Sequence, residues 1–118
     1  MSLVSELAST PGVLAAGEYS FRGDRFHFEG NMDNEQARLA SIMCRATTMG
    51  VHMQTDMLGQ FADNCGCAPA RGWFVKGQGY SVCVMAQYFC FIDNHSASIN
   101  EVMGKMRNSI GDTTPDKV

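Results

Sequence analysis

The sequence has few charged residues and lacks a concentrated basic segment. Charged residues make up 18% of its 118 residues, the formal net charge is −3, and the nine Lys/Arg residues are scattered along the chain. Binding to a nucleic acid requires a patch or stripe of positive charge that neutralises phosphates. The sequence therefore argues against a nucleic-acid partner.

Long apolar runs are also missing. No run approaches 18 residues, and the amino terminus lacks a charged segment followed by an apolar one. Such patterns mark membrane spans and secretory signals, so we expect no membrane partner and a cytoplasmic location. In that compartment the five cysteines, an odd number, are expected to be thiols and not a disulfide framework.

Recognisable catalytic motifs are absent as well. The chain has no Gly-x-Ser-x-Gly elbow, no phosphate-binding loop and no Gly-x-Gly-x-x-Gly. The three histidines do not converge on an acid or nucleophile in the sequence. We expect His27 on the solvated side of an edge strand, His52 exposed or at an interface, and His95 in a turn. We therefore predict no catalytic residues, no cofactor and no metal, and hence a protein that is not an enzyme.

The pattern of apolar residues, turns and caps predicts eight elements in the order α-β-β-α-β-β-β-α. The predicted helices are Leu3 to about Ser9, Asp33 to about Asp63, and Ser98 to Ile110; the predicted strands are Val13 to Phe21, Arg25 to Glu29, Gly72 to Lys76, Tyr80 to Met85, and Tyr88 to Asp93. Short hairpin connections make neighbouring strands antiparallel. The fold class is therefore α+β, with one five-stranded antiparallel sheet, the long helix on one face and the two terminal helices on the other. One domain, 1–111, is followed by a flexible tail, 112–118.

The long helix dominates the sequence. Asp33 and Gln36 form a capping box at its start. Apolar residues then follow two rows at helical spacing: Leu39, Met43, Ala46, Gly50, Met53, Met57 and Phe61 in the first, and Ile42, Met49, Val51 and Leu58 in the second. A helix that is apolar on two sides needs two partners, which we expect to be its own sheet and a second protein chain.

A dimer or partner interface is therefore predicted on this helix and on the strand that follows it. The predicted interface residues are Ile42, Ala46, Met49, Met53, Met57 and Trp73. Trp73, the only tryptophan, has core packing as its first interpretation and an interface anchor as its second.

Two pairs of cysteines invite closer inspection. A two-residue turn at Ala86 and Gln87 places Cys83 opposite Cys90, and we expect both thiols reduced and buried on one face of the hairpin. Cys65 and Cys67, one residue apart in a loop, allow three interpretations: inert cysteines, a reactive dithiol, or half of a four-thiolate metal site completed by a second chain.

Several segments resemble the roadblock/dynein-light-chain family. They are the opening run 7–17 (Leu-Ala-Ser-Thr-Pro-Gly-Val-Leu-Ala-Ala-Gly), the strands Gly72 to Val75 and Tyr80 to Met85, and the last helix, so that the resemblance spans nearly the whole chain. It implies a roadblock/profilin-like fold in a prokaryotic branch whose members are mostly uncharacterised.

The resemblance also implies a mode of action. Members of that family commonly pair through the long helix and the neighbouring strand edge, and act as platforms for small GTPases or motor complexes. It supplies no catalytic residues. We therefore expect a non-enzymatic, homodimeric scaffold that binds a protein partner, such as a small GTPase or another NTPase. The competing hypothesis is a small redox or sulfur-handling protein that acts through Cys65 and Cys67.

Overall fold

The predicted order of elements is confirmed by the computed structural model, which describes residues 2–20, 22–61 and 70–110. The helices are α1 (Leu3–Ala8), α2 (Asn34–Phe61) and α3 (Ile99–Ile110); the strands are β1 (Val13–Tyr19), β2 (Phe26–Gly30), β3 (Gly72–Lys76), β4 (Tyr80–Met85) and β5 (Tyr88–Asp93). β1 ends two residues earlier than predicted and β2 is shifted by one. Cys65, Cys67 and the predicted tail 112–118 lie outside the described residues.

Side-chain caps fix where the two longer helices begin. Asp33 Oδ1 accepts the Gln36 N–H at 2.7 Å, and Gln36 Oε1 accepts the Asp33 N–H at 3.0 Å. At α3, Ser98 Oγ accepts the Glu101 N–H at 3.1 Å. The first N–H groups of a helix have no partner within the helix. Side chains that accept hydrogen bonds from them therefore favour a helix that begins directly after Asp33 and Ser98. The capping box of Asp33 and Gln36 is thus confirmed, and at α3 Ser98 provides one of the two bonds of such a box.

The five strands form one antiparallel sheet in the order β2-β1-β5-β4-β3. The chain therefore builds two hairpin units, and β5 joins them by pairing with β1. The turn at Ala86 and Gln87 makes Met85 face Tyr88, as predicted. β2 and β3 are the outer strands, so β3 runs along one edge of the sheet next to α2.

Helices cover both faces of the sheet, as predicted. On one face α1 and α3 pack over the strands in a cluster of Val4, Leu7, Ala16, Cys83, Cys90, Ile92, Val102 and Met106. On the other face α2 packs over Tyr19, Val84 and Phe89 through Ala40 and Cys44. α2 is the only cover of that second face among the described elements, which leaves its far side without a neighbour.

Candidate interaction surface

The side of α2 that faces the sheet is lined by small and polar side chains. Its buried residues are Ala37, Ala40, Ser41, Cys44, Thr48 and His52, which recur every three or four positions along one face. We call this row the sheet-facing stripe. Short side chains let the helix axis approach the strands closely, and the volume between them is filled from the sheet by Tyr19, Val84 and Phe89.

The large apolar side chains of α2 point away from the sheet. Met53 lies nine residues after Cys44, about two and a half turns, and is therefore on the opposite side of the helix. We define the apolar surface as the exposed large apolar residues on the α2 side of the sheet: Leu39, Ile42, Met43, Met49, Met53, Met57, Leu58 and Phe61 of α2, with Val75 of β3. The exposed fraction reaches 71% for Met53 and 82% for Phe61.

One expectation about α2 is wrong. The sequence led us to expect that one of its two apolar rows packs against the sheet. Instead, every Leu, Ile, Met and Phe side chain of both rows is exposed. Hydrophobic periodicity detects rows of large side chains, and the sheet-facing stripe is inconspicuous because its side chains are small or polar. Ile42, Ala46, Met49, Met53 and Met57, the predicted interface residues of α2, all lie exposed.

Trp73 occupies a different position from the other predicted interface residues. It is partly buried on the α2 side of the sheet, and its indole Nε1–H donates to Thr48 Oγ1 at 2.8 Å. The same hydroxyl is hydrogen-bonded to Tyr19 Oη at 3.1 Å and donates to Cys44 O at 2.8 Å. Burial raises the pKa of Tyr19. These contacts favour the core interpretation of Trp73, because they use its polar group to fix α2 on the sheet.

The edge strand β3 extends the apolar surface beyond the helix. Val75 has an exposed fraction of 57% and lies on the α2 side, whereas Phe74, at 55%, points to the opposite face of the sheet. Among the described strands, β3 pairs on one side only, with β4. An outer strand that carries exposed apolar side chains is a ready template for pairing with another chain. The open edge and the outer side of α2 are thus two neighbouring surfaces without a partner in the described protomer.

A comparison of the sequence with models of known families identifies the family of this chain. A family model, described as "Uncharacterized conserved protein (DUF2173)", matches residues 3–108. The chain belongs to DUF2173. Comparisons with curated proteins and with solved structures give no match.

Of the three histidines of this DUF2173 chain, His52 contradicts its prediction. It has an exposed fraction of 4%, and neither ring nitrogen has a hydrogen-bond partner among residues 2–20, 22–61 and 70–110. A cavity of about 10 Å³, lined by His52, Thr48, Trp73 and six other residues, lies beside the ring. His27 is exposed as predicted. His95 is in a turn as predicted, where its N–H donates to Asp93 Oδ1 at 3.0 Å.

The cysteines described in the DUF2173 chain are buried thiols. Cys83 and Cys90 are cross-strand neighbours on one face, free and fully buried, as predicted. Burial raises the pKa of Cys83 to about 11, that of Cys90 to about 12 and that of Cys44 to about 12. A thiol that keeps its proton is a poor nucleophile, so these three positions suit packing and not thiol chemistry.

A concavity of about 650 Å³ lies between β3 and the start of α3. It is lined by Phe74, Lys76 and residues 94–101. The side chain of Asn94 is already engaged, since its Oδ1 accepts from Ser81 Oγ at 2.7 Å.

No group of three His, Cys, Asp or Glu residues with metal-binding geometry occurs within residues 2–20, 22–61 and 70–110. In the same ranges, no helix combines the length and apolarity needed to span a membrane.

Proposed function

We propose that this DUF2173 protein is a cytoplasmic, non-enzymatic scaffold that pairs with a second copy of itself and presents the dimer to a protein partner. The observation that carries the proposal is the distribution of side chains on α2: small and polar ones face its own sheet, and large apolar ones face outward. Eight of the eleven large apolar residues exposed in the described chain belong to this one helix. Apolar patches of such extent on a protomer generally mark an interaction site.

A second copy suits this surface because a helix face can pair with itself about a two-fold axis, so every contact is made twice. Four of the eight exposed residues are methionines, Met43, Met49, Met53 and Met57, whose flexible side chains adapt to the opposing surface. The resemblance to the roadblock/dynein-light-chain family supports the same arrangement. It also favours a small GTPase or another NTPase as the partner of the dimer.

Sedimentation velocity at micromolar concentration tests the pairing. The chain has a mass of 12.9 kDa, and the proposal requires a species of twice that mass.

Met53→Glu should weaken the dimer strongly. Burying a Met side chain contributes about 1.5–3 kcal/mol, and 71% of Met53 is available, so about 1–2 kcal/mol is lost per protomer before the cost of burying a charge.

Because the substitution enters the interface twice, the dissociation constant should rise by roughly a hundredfold or more. Asn108→Glu is the matched control: it adds the same charge at an exposed position of α3, on the other face of the sheet, and the dissociation constant should stay within about threefold. Circular dichroism should be unchanged for both variants, since neither residue is part of the protomer core. A wild-type monomer at tens of micromolar, or equal effects of the two variants, would contradict the proposal.

The partner can be tested with the same pair of variants. An NTPase that assembles on the dimer should be retained from lysate by the wild type and by Asn108→Glu, and lost with Met53→Glu. Its retention should differ between GDP and a non-hydrolysable GTP analogue if it is a GTPase. Retention that is equal on all three proteins would separate partner binding from the dimer.

A further inference from the structure

Four arginines that are scattered in the sequence meet around one pocket. The β1–β2 turn and the first half of α2 enclose a space of about 250 Å³, lined by Arg22, Arg25, Arg38 and Arg45 among others. These are four of the nine Lys and Arg residues in a chain whose net charge is −3. The pocket is thus locally basic although the protein as a whole is acidic.

The acidic residues nearby cancel part of this charge and leave an excess of one positive charge in the count below. Glu35 binds Arg38 through two hydrogen bonds of 2.6 and 3.0 Å, so we count that pair as neutral. Arg45 makes an interaction of its own and is left out of the count. Asp24 is then the single carboxylate in the lining, against Arg22 and Arg25. No carboxylate of the described residues lies within 4.0 Å of either guanidinium.

Ser20 holds the backbone of Asp24 and Arg25 beside the end of β1. Ser20 Oγ donates to Asp24 Oδ1 at 2.7 Å and accepts the N–H groups of Asp24 and Arg25 at 3.2 and 3.0 Å. The hydrogen bond from Ser20 lowers the pKa of Asp24, which therefore stays ionised and bound within the turn. The backbone that carries Arg25 is therefore held before a ligand binds, which lowers the cost of ordering this part of the pocket.

Contact between the turn and α2 completes one wall of the pocket. Gly23 has a φ of 79°, in the region that favours glycine, and a Cβ at this position would lie 3.2 Å from Arg45 Cδ. The side chain of Arg45 therefore lies directly against the turn. Arginines from two separate segments are brought together by this packing, which is why the sequence alone does not reveal them.

The chemistry of the lining selects the ligand. The planar guanidinium group presents N–H donors in a fork that matches the oxygens of phosphate and carboxylate groups, and the excess of Arg22 and Arg25 over Asp24 favours an oxyanion. Sites for drug-sized ligands measure about 300–1,000 Å³. A pocket of about 250 Å³ suits something smaller. We propose that this pocket binds a small anion through a phosphate group, such as a phosphomonoester.

Isothermal titration of the full chain with inorganic phosphate and with glycerol 3-phosphate tests the proposal, at an ionic strength held constant with chloride. One site per chain should saturate with a dissociation constant in the millimolar range or tighter. The double variant Arg22→Gln/Arg25→Gln should weaken binding at least tenfold, and Arg22→Lys/Arg25→Lys should recover part of it, because lysine restores the charge without the fork.

Arg107→Gln is the matched control, since Arg107 is an exposed arginine on α3, across the sheet from the pocket. It should bind both probes as the wild type does. Arg22 and Arg25 are themselves exposed and outside the core, so their replacement should leave the fold intact. Absence of saturable binding would overturn the proposal, as would binding that the double variant retains or that Arg107→Gln weakens equally. Because Ile42 belongs both to this lining and to the apolar surface, the sedimentation state is recorded at the concentration of the titrations.

Discussion

Replacing Thr48 with valine should destabilise the protein far more than the loss of one hydroxyl group from a helix normally does. Valine keeps the shape of threonine but removes the oxygen that hydrogen-bonds to Trp73, Tyr19 and Cys44. The Trp73 N–H then has no partner among the described contacts, and Tyr19 keeps only a long bond of 3.4 Å to Ala86 O.

The magnitude follows from these contacts. Leaving a buried donor unsatisfied costs about 1–3 kcal/mol, and losing the bond to Tyr19 adds about 0.5–1.5 kcal/mol. The bond from Thr48 to Cys44 O runs within the helix and contributes little. We therefore expect the free energy of unfolding to fall by about 2–4 kcal/mol, out of the 5–15 kcal/mol typical of a domain. At about 2 kcal/mol per molar, the urea midpoint should fall by about 1–2 M.

Urea unfolding followed by tryptophan fluorescence is well suited to this test, because Trp73 is the only tryptophan. Circular dichroism provides a second probe, and a fixed protomer concentration is needed because pairing would add to the apparent stability. Ser41→Ala is the control: Ser41 is buried in the same sheet-facing stripe, but its hydroxyl donates only to Ala37 O within the helix. Its loss should change stability by less than about 0.5 kcal/mol. Equal effects of Thr48→Val and Ser41→Ala would refute the reasoning.

Two further predictions concern buried polar groups. His52→Leu should raise the free energy of unfolding by about 1 kcal/mol in the same urea assay, because it removes two buried nitrogens without partners; a loss of stability would mean that the ring has a polar partner. The free energy of unfolding should also fall at alkaline pH because of the buried thiols of Cys83 and Cys90. The pKa values of Cys83 and Cys90 in the folded chain, about 11 and about 12, exceed the ordinary 9.0, so the unfolded chain releases these protons first. Their contribution is complete below about pH 9 and is lost as the pH rises through the folded-state values, with a slope of up to about 1.4 kcal/mol per pH unit for each thiol. Urea midpoints that stay constant from about pH 8 to pH 11 would contradict this.

Local signals explain why the fold could be predicted from the sequence. The capping box of Asp33 and Gln36, the cap of α3 by Ser98 and the two-residue turn at Ala86 and Gln87 each involve residues close together in the chain. Each restricts the backbone independently of the rest of the structure. Alternating apolar residues then determined which strand faces are covered, and Cys83 opposite Cys90 follows directly from the turn.

Features that depend on how distant segments pack were only partly predictable. Apolar periodicity identified Met53 and Met57 on α2, but it did not identify which side of the helix faces the sheet, because the residues on that side are small. His52 was misplaced for the same reason. The arginine pocket could not be found from spacing at all, since strand β2 and the capping loop separate Arg25 from Arg38 in the sequence.

The sheet-facing stripe has a further consequence for how the long helix behaves. Its last buried residue is His52, so the nine residues 53–61, about two and a half turns, carry no buried side chain. Helical segments of this length are marginal in water without tertiary contacts. In a lone protomer, hydrogen exchange in these turns should therefore require only local opening. Association would order them, and its measured free energy would include the cost of winding the end of α2. A substitution that favours helix formation there would then strengthen assembly without touching the other chain.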